Sequence, residues 1–275
     1  MSSRTWYRIA LAGTGPAPAI VIASGAHLGE AIANGVRHVG RGAWAAAVAV
    51  PEASEVPLGE SVGKHDVVAR GVAAEMVTGM RWPLGVVPSF ADAARAASLR
   101  EGFTRHGGDA HVLEAMVEGP RLDEVLLALV EKLPAADNIE VKVLDHHDSA
   151  PTTDVFLSPR IDARKALELL DENDIELLHN GHVEVSIYLR AQHSTLRLTE
   201  HKTLVWISED DALTSSVAGW MRDAGLAELA EFDTIADVGH FHWRPAATSP
   251  RKRLIDRLRR MGMRQVDSWK ATEPS

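Results

Sequence analysis

Residues 175–208 read IELLHNGHVEVSIYLRAQHSTLRLTEHKTLVWIS, and this stretch decides the fold class. From Val183 the side chains alternate: Val183, Val185, Ile187 and Leu189 on one face, Glu184, Ser186, Tyr188 and Arg190 on the other. A period of two is the signature of a half-buried strand. Asn180-Gly181, set between strand-like runs at 175–179 and 182–190, predicts a tight hairpin. Residues 195–199 and 203–208 repeat the β-rich pattern around a turn at Glu200, His201 and Lys202. An antiparallel meander of this kind points to an α+β fold rather than a doubly wound parallel sheet.

Downstream, Asp210 or Asp211 caps a helix whose Leu213, Val217, Trp220 and Met221 face inward, with Gly225 at its end. Residues 235–243 read as a further strand. Ser249-Pro250 opens the last helix, whose Leu254, Ile255, Leu258 and Met261 form one stripe stopped by Gly262. Upstream lie a strand at 154–158 and a helix capped by Asp162 that carries Ala163, Ala166, Leu167 and Leu170. Before these come a strand at 110–117, a helix opened by Pro120 (Leu122, Val125, Leu126, Leu129) and a strand at 138–144. Strand–helix–strand here fits a βαβ unit or ferredoxin-like packing.

The N-terminal part is predicted to hold strands at 4–11, 19–23 and 44–50, a helix over 26–38 and a long loop at 51–66. Residues 67–77 suit helix or strand, and 82–87 an edge strand interrupted by Pro83. Ser89 and Asp92 have capping-box spacing, which predicts a helix to His106. The expected architecture is α+β: a mixed sheet in the N-terminal half, then an antiparallel meander with packed helices. Two domains, 1–149 and 150–275, are divided at the loop-like Ser-Ala-Pro-Thr-Thr, with a single domain as the alternative.

Composition narrows the chemistry. Among 275 residues there is no Cys, which excludes disulfides, thiolate metal sites and a cysteine nucleophile, and fits a reducing, cytoplasmic setting. The first residues lack a signal-peptide profile, and no apolar run approaches the ~18 residues of a membrane span. A soluble chain is expected. The net charge of −9 argues against nucleic acid as a general partner. No nucleotide or flavin loop, Walker motif or nucleophile elbow is found.

Eight of the 13 histidines fall between His146 and His242, and any site should be sought there. Asp145, His146, His147 and Asp148 directly follow the predicted strand 138–144. Imidazole and carboxylate ligands suit Zn, Mn or Fe, and a bound divalent metal would activate water. The string Leu144 to Ser149 resembles the signature of the DHH phosphoesterases, which implies manganese-dependent hydrolysis. The resemblance covers about ten residues; the family's upstream His/Asp motif is not found in residues 1–130, and its glycine-rich downstream motif is missing. His240 and His242, two apart on a strand, would share a face and could grip one ion, with a third ligand from elsewhere, such as His146 or Asp148. His179 and His182 should face each other across the hairpin, with His201 in the next turn but one.

The last helix carries Arg251, Lys252, Arg253, Arg257, Arg259 and Arg260. A basic helix on an acidic chain suits a protein partner, self-association in an oligomer, or docking on its own acidic body. Trp269, near a polar tail, would anchor the C-terminus or an interface if ordered. Two functions follow: a non-catalytic interaction or assembly protein, and, as the alternative, a hydrolase using a divalent metal at the His/Asp cluster.

Overall fold

The computed structural model describes residues 5–12, 19–25, 30–31, 34–35, 37, 44–51, 67–71, 80–88, 93–144, 152–242 and 248–270. Its strands are β1 (Thr5–Ala12), β2 (Ala19–Gly25), β3 (Trp44–Pro51), β4 (Val67–Gly71), β5 (Val86–Pro88), β6 (Gly102–His106) and β7 (His111–Met116). They continue as β8 (Asn138–Leu144), β9 (Thr152–Leu157), β10 (Val183–Leu189), β11 (Ser194–Leu198), β12 (Thr203–Ser208), β13 (His240–His242) and β14 (Arg264–Lys270). The α-helices among the described residues are α1 (Ala93–Ser98), α2 (Leu122–Lys132), α3 (Ala163–Asp171), α4 (Asp174–Leu177), α5 (Asp211–Asp223) and α6 (Arg251–Arg260).

The fold is α+β, built on one open eight-stranded sheet of order β14-β9-β8-β10-β11-β12-β7-β6, antiparallel at every step. A second sheet, β3-β1-β2-β4, holds the N-terminal strands, and β13 pairs with β5 in a two-stranded ribbon. Residue 149 falls between β8 and β9, which are paired neighbours in the large sheet. β7, α2 and β8 do form a crossover. Four antiparallel steps separate β7 from β8, so the two are parallel, with β10, β11 and β12 inserted between them. The strand–helix–strand unit is therefore split by three intervening strands.

One face of this sheet is apolar. Leu113, Ile139, Val141, Val143, Phe156, the four alternating residues of β10, Leu196, Leu198, Leu204 and Trp206 are buried with Val125, Leu129, Leu170, Val217, Met221, Leu254 and Leu258 from the helices. Trp206 satisfies its indole N–H on Thr214 of α5 at 3.1 Å, so even its polar atom is accommodated. The other face is charged. Lys142 donates to Glu184 at 2.6 Å, Tyr188 to Glu140 at 3.0 Å, and Arg197 lies 3.6 Å from Glu184. Burial holds Glu184 above the usual carboxylate range against the pull of Lys142 and Arg197. Burial, with the Glu140 carboxylate, pushes Tyr188 up to about 12.

Three local expectations are corrected. The helix predicted to reach His106 ends at Ser98, and Gly102–His106 is the edge strand β6. The fully buried Phe103 explains this: its backbone bonds to Ala227 and Leu229 on the outer side while β7 pairs on the inner one. Residues 175–179 are not a strand but lie in and just after α4, so Asn180-Gly181 links a helix to β10 and no hairpin forms there. Residues 235–243 contain a 3₁₀ turn, Ile235–Asp237, and only the short strand β13. The helices capped by Asp162 and Asp210 form as read, each carboxylate accepting the expected backbone N–H, from Lys165 and Leu213. Most of residues 26–38 and all of 52–66 lie outside the described residues.

α6 is held to the sheet by Leu254 and Leu258 and by Arg251, which reaches Asp154 on β9. Leu258 is fully buried. Leu258→Ala should lower unfolding free energy by about 2–5 kcal/mol, read by urea denaturation. A loss below about 1 kcal/mol would mean that α6 is not part of the cooperative core.

Candidate metal centre

Three chain segments meet at the end of the sheet where β10 begins. The first is the turn Asn180, Gly181, His182. Asn180 caps itself locally, its side-chain oxygen accepting the N–H of His182 at 3.0 Å. The second is the β11–β12 turn, where Lys202 adopts a left-handed backbone (φ 62°) and its N–H closes onto Thr199. The third is β13, registered on β5 so that His240 faces Pro88 and His242 faces Val86. A small core of Met80, Val86, Leu99, Met116, Ile235 and Val238 fixes that ribbon.

His240 and His242 share a strand face, as their two-residue spacing predicts, and both are half-buried. Nδ1 of His240 lies 2.7 Å from the carbonyl oxygen of Val238, and Nδ1 of His242 lies 2.7 Å from that of Gly181. A carbonyl only accepts, so these partners assign the hydrogen of each neutral ring to Nδ1. The two Nε2 lone pairs are then left pointing inward, and the Nε2 atoms stand 3.2 Å apart. Two lone pairs do not attract. That contact requires a shared proton or a shared cation.

The spacing fits a metal. Two nitrogens each ~2.05 Å from a zinc ion, at the tetrahedral angle, would be separated by about 3.3 Å. The third imidazole is His201, whose ring centre lies 4.8 Å from that of His240 and 5.0 Å from that of His242. The ligand nitrogens of His201, His240 and His242 all fall within 4.8 Å of one another. Backbone carbonyls that hold Nδ1 are a usual outer support of a histidine metal ligand. His182 stands beside the group, its ring 6.2 Å from that of His242.

Below the turn, Lys202 is fully buried, and its Nζ donates to the carbonyls of Asn180 at 2.7 Å and Val183 at 3.3 Å. Burial lowers its pKa to about 7, although Glu200, Asp123 and Glu184 oppose the shift. From the other side Gly85 presses on the same turn with φ +93°. A Cβ there would lie 2.5 Å from the nitrogen of Gly181 and 2.6 Å from the carbonyl oxygen of His179.

His179 turns away from His182 instead of facing it. Its Nε2 meets Asp123, in the first turn of α2, at 2.7 Å, and Asp174 completes a second His/Asp group. This follows from the helix that replaces the expected strand. The string Asp145, His146, His147, Asp148 lies outside the described residues, so the described group consists of His240, His242 and His201. On the basic helix, Arg251 and Arg257 pair within the chain, with Asp154 and Glu176, while Lys252, Arg253 and Arg260 are exposed.

No family model matches the chain, and neither a curated protein nor a solved structure resembles it closely enough to count as a match.

Gly85→Ala should strain both the left-handed backbone and the Gly181 contact, costing roughly 1–3 kcal/mol in chemical denaturation. It should also shift the His242 ring resonances in NMR. Wild-type stability and unmoved resonances would show that Gly85 does not set the turn.

Proposed function

We propose that this chain binds a divalent transition metal through His201, His240 and His242, and that the metal serves hydrolytic chemistry. One observation carries the reading: the Nε2 atoms of His240 and His242 stand 3.2 Å apart while both Nδ1 atoms face carbonyl oxygens. Neutral imidazoles suit Zn, Co, Ni or Fe more than Mg or Ca. Three histidines leave a fourth tetrahedral position for water, which such a metal acidifies toward neutral pH. Asp145, His146, His147 and Asp148 remain candidates for further ligands or proton acceptors in the same reading.

Elemental analysis of dialysed, untagged protein tests it. About one equivalent of Zn, Co, Ni or Fe is expected in the wild type, and a loss of at least tenfold in affinity in His240→Ala with the circular dichroism spectrum retained. The loaded wild type should cleave an activated ester or phosphodiester, and chelation should stop it. Unchanged metal content in His240→Ala contradicts the assignment, and a loaded protein inert on both substrates contradicts the hydrolytic part.

A second reading, association with another copy of the chain, is supported by β14. This edge strand exposes 44% of Val266 and 44% of Trp269, and α6 exposes Lys252 and Arg253. Exposed apolar side chains on a sheet edge favour strand-to-strand pairing. Light scattering after size exclusion should show a dimer that Trp269→Glu converts to monomer. A monomeric wild type at high micromolar concentration removes this reading. No helix among the described residues is long and apolar enough to cross a membrane.

A further inference from the structure

We infer that Lys202 is a positioning residue of the metal centre, acting through the turn that orients His242. The inference rests on the metal reading above. Gly181 supplies the carbonyl that accepts from His242 Nδ1 at 2.7 Å. The carbonyl just before it, Asn180 at 2.7 Å, and the one two residues after it, Val183 at 3.3 Å, are both held by the Lys202 ammonium. Lys202 thus clamps the backbone before and after Gly181 and fixes where its carbonyl points.

The same residue follows His201 directly, in a left-handed conformation that sets the exit of the β11–β12 turn. One side chain therefore ties the segment carrying one imidazole to the segment that aims another. His240 is different: its carbonyl partner is Val238, within its own segment rather than in the turn that Lys202 holds. A buried ammonium confined between two carbonyls is a short, directional strut, and burial makes its loss costly to the groups it satisfies.

Charge and position predict opposite signs, which makes the inference testable. Below about pH 7, where Lys202 carries its proton, Lys202→Met removes a cation beside a site for a dication, so electrostatics alone predicts tighter metal binding there. Loss of positioning predicts weaker binding, by roughly 10–100-fold, the range for removing an outer support of a histidine ligand. Zinc titration of wild type and Lys202→Met, with Lys202→Gln as a shorter donor, reads the sign. Long-range ¹H–¹⁵N spectra of the imidazoles then show which ring changes. His242 should lose its fixed Nδ1–H tautomer in Lys202→Met while His240 keeps its own.

Equal or tighter zinc binding in Lys202→Met, with the His242 tautomer unchanged, overturns the positioning role and leaves the metal centre standing. A wild type that takes up no zinc overturns the metal reading and this inference with it. If neither variant folds, acetylation of wild-type protein decides. Bound zinc should slow modification of Lys202 by at least several-fold, because ligand and clamp stabilise the same turn and the linkage is reciprocal. An unchanged rate overturns the inference.

Discussion

The turn at Asn180, Gly181 and His182 is the constraint on which the candidate centre depends. Its peptide groups have almost no freedom left. Lys202 takes the carbonyls of Asn180 and Val183, Leu144 donates to the carbonyl of His182, and the His242 ring donates to that of Gly181. Gly85 closes in from outside, at a distance no side chain would tolerate. A turn held this way can aim an imidazole, which a solvated loop cannot do without losing side-chain and backbone entropy.

The sheet explains why such a turn can be maintained. β10 pairs with β8 from Val183 to Tyr188 and with β11 from Val185 to Leu189, and its four apolar residues lie in the main core under the helices. The start of β10 is therefore a rigid platform. β13 comes from a different place, the small core around Val86, Ile235 and Val238, and meets β10's end through a side chain rather than a backbone ladder. Two separately anchored pieces thus meet where the His242 Nδ1 faces the Gly181 carbonyl. Placing ligands on supported elements of this kind favours a defined coordination geometry.

Much of the fold was legible in the residues. The alternation of β10 and the stripes of α2 and α5 appear where period and caps put them, because in these segments local pattern and burial agree. The misreadings came where tertiary contacts outweighed local signals. Asn180-Gly181 has the chemistry of a hairpin turn, yet the preceding residues are drawn into α4, with Glu176 and Leu177 buried. Gly102–His106 continued a helical pattern, but Phe103 is pinned between β7 and the 227–229 segment. β14 carries no strong period, so nothing in residues 264–270 marks a strand.

The centre was half legible. His240 and His242 follow from their spacing on a strand, whereas His201 sits 39 positions upstream and only the sheet topology brings it near. Lys202 carried no signal at all, since a lysine in a turn reads as solvated and here it is fully buried. The most direct test is diffraction from zinc-soaked crystals, with data on both sides of the zinc absorption edge. The account predicts one anomalous peak about 2.0–2.1 Å from Nε2 of His240 and of His242, with His201 drawn in as third ligand. A peak bound through Nδ1, or none between these rings, would contradict it.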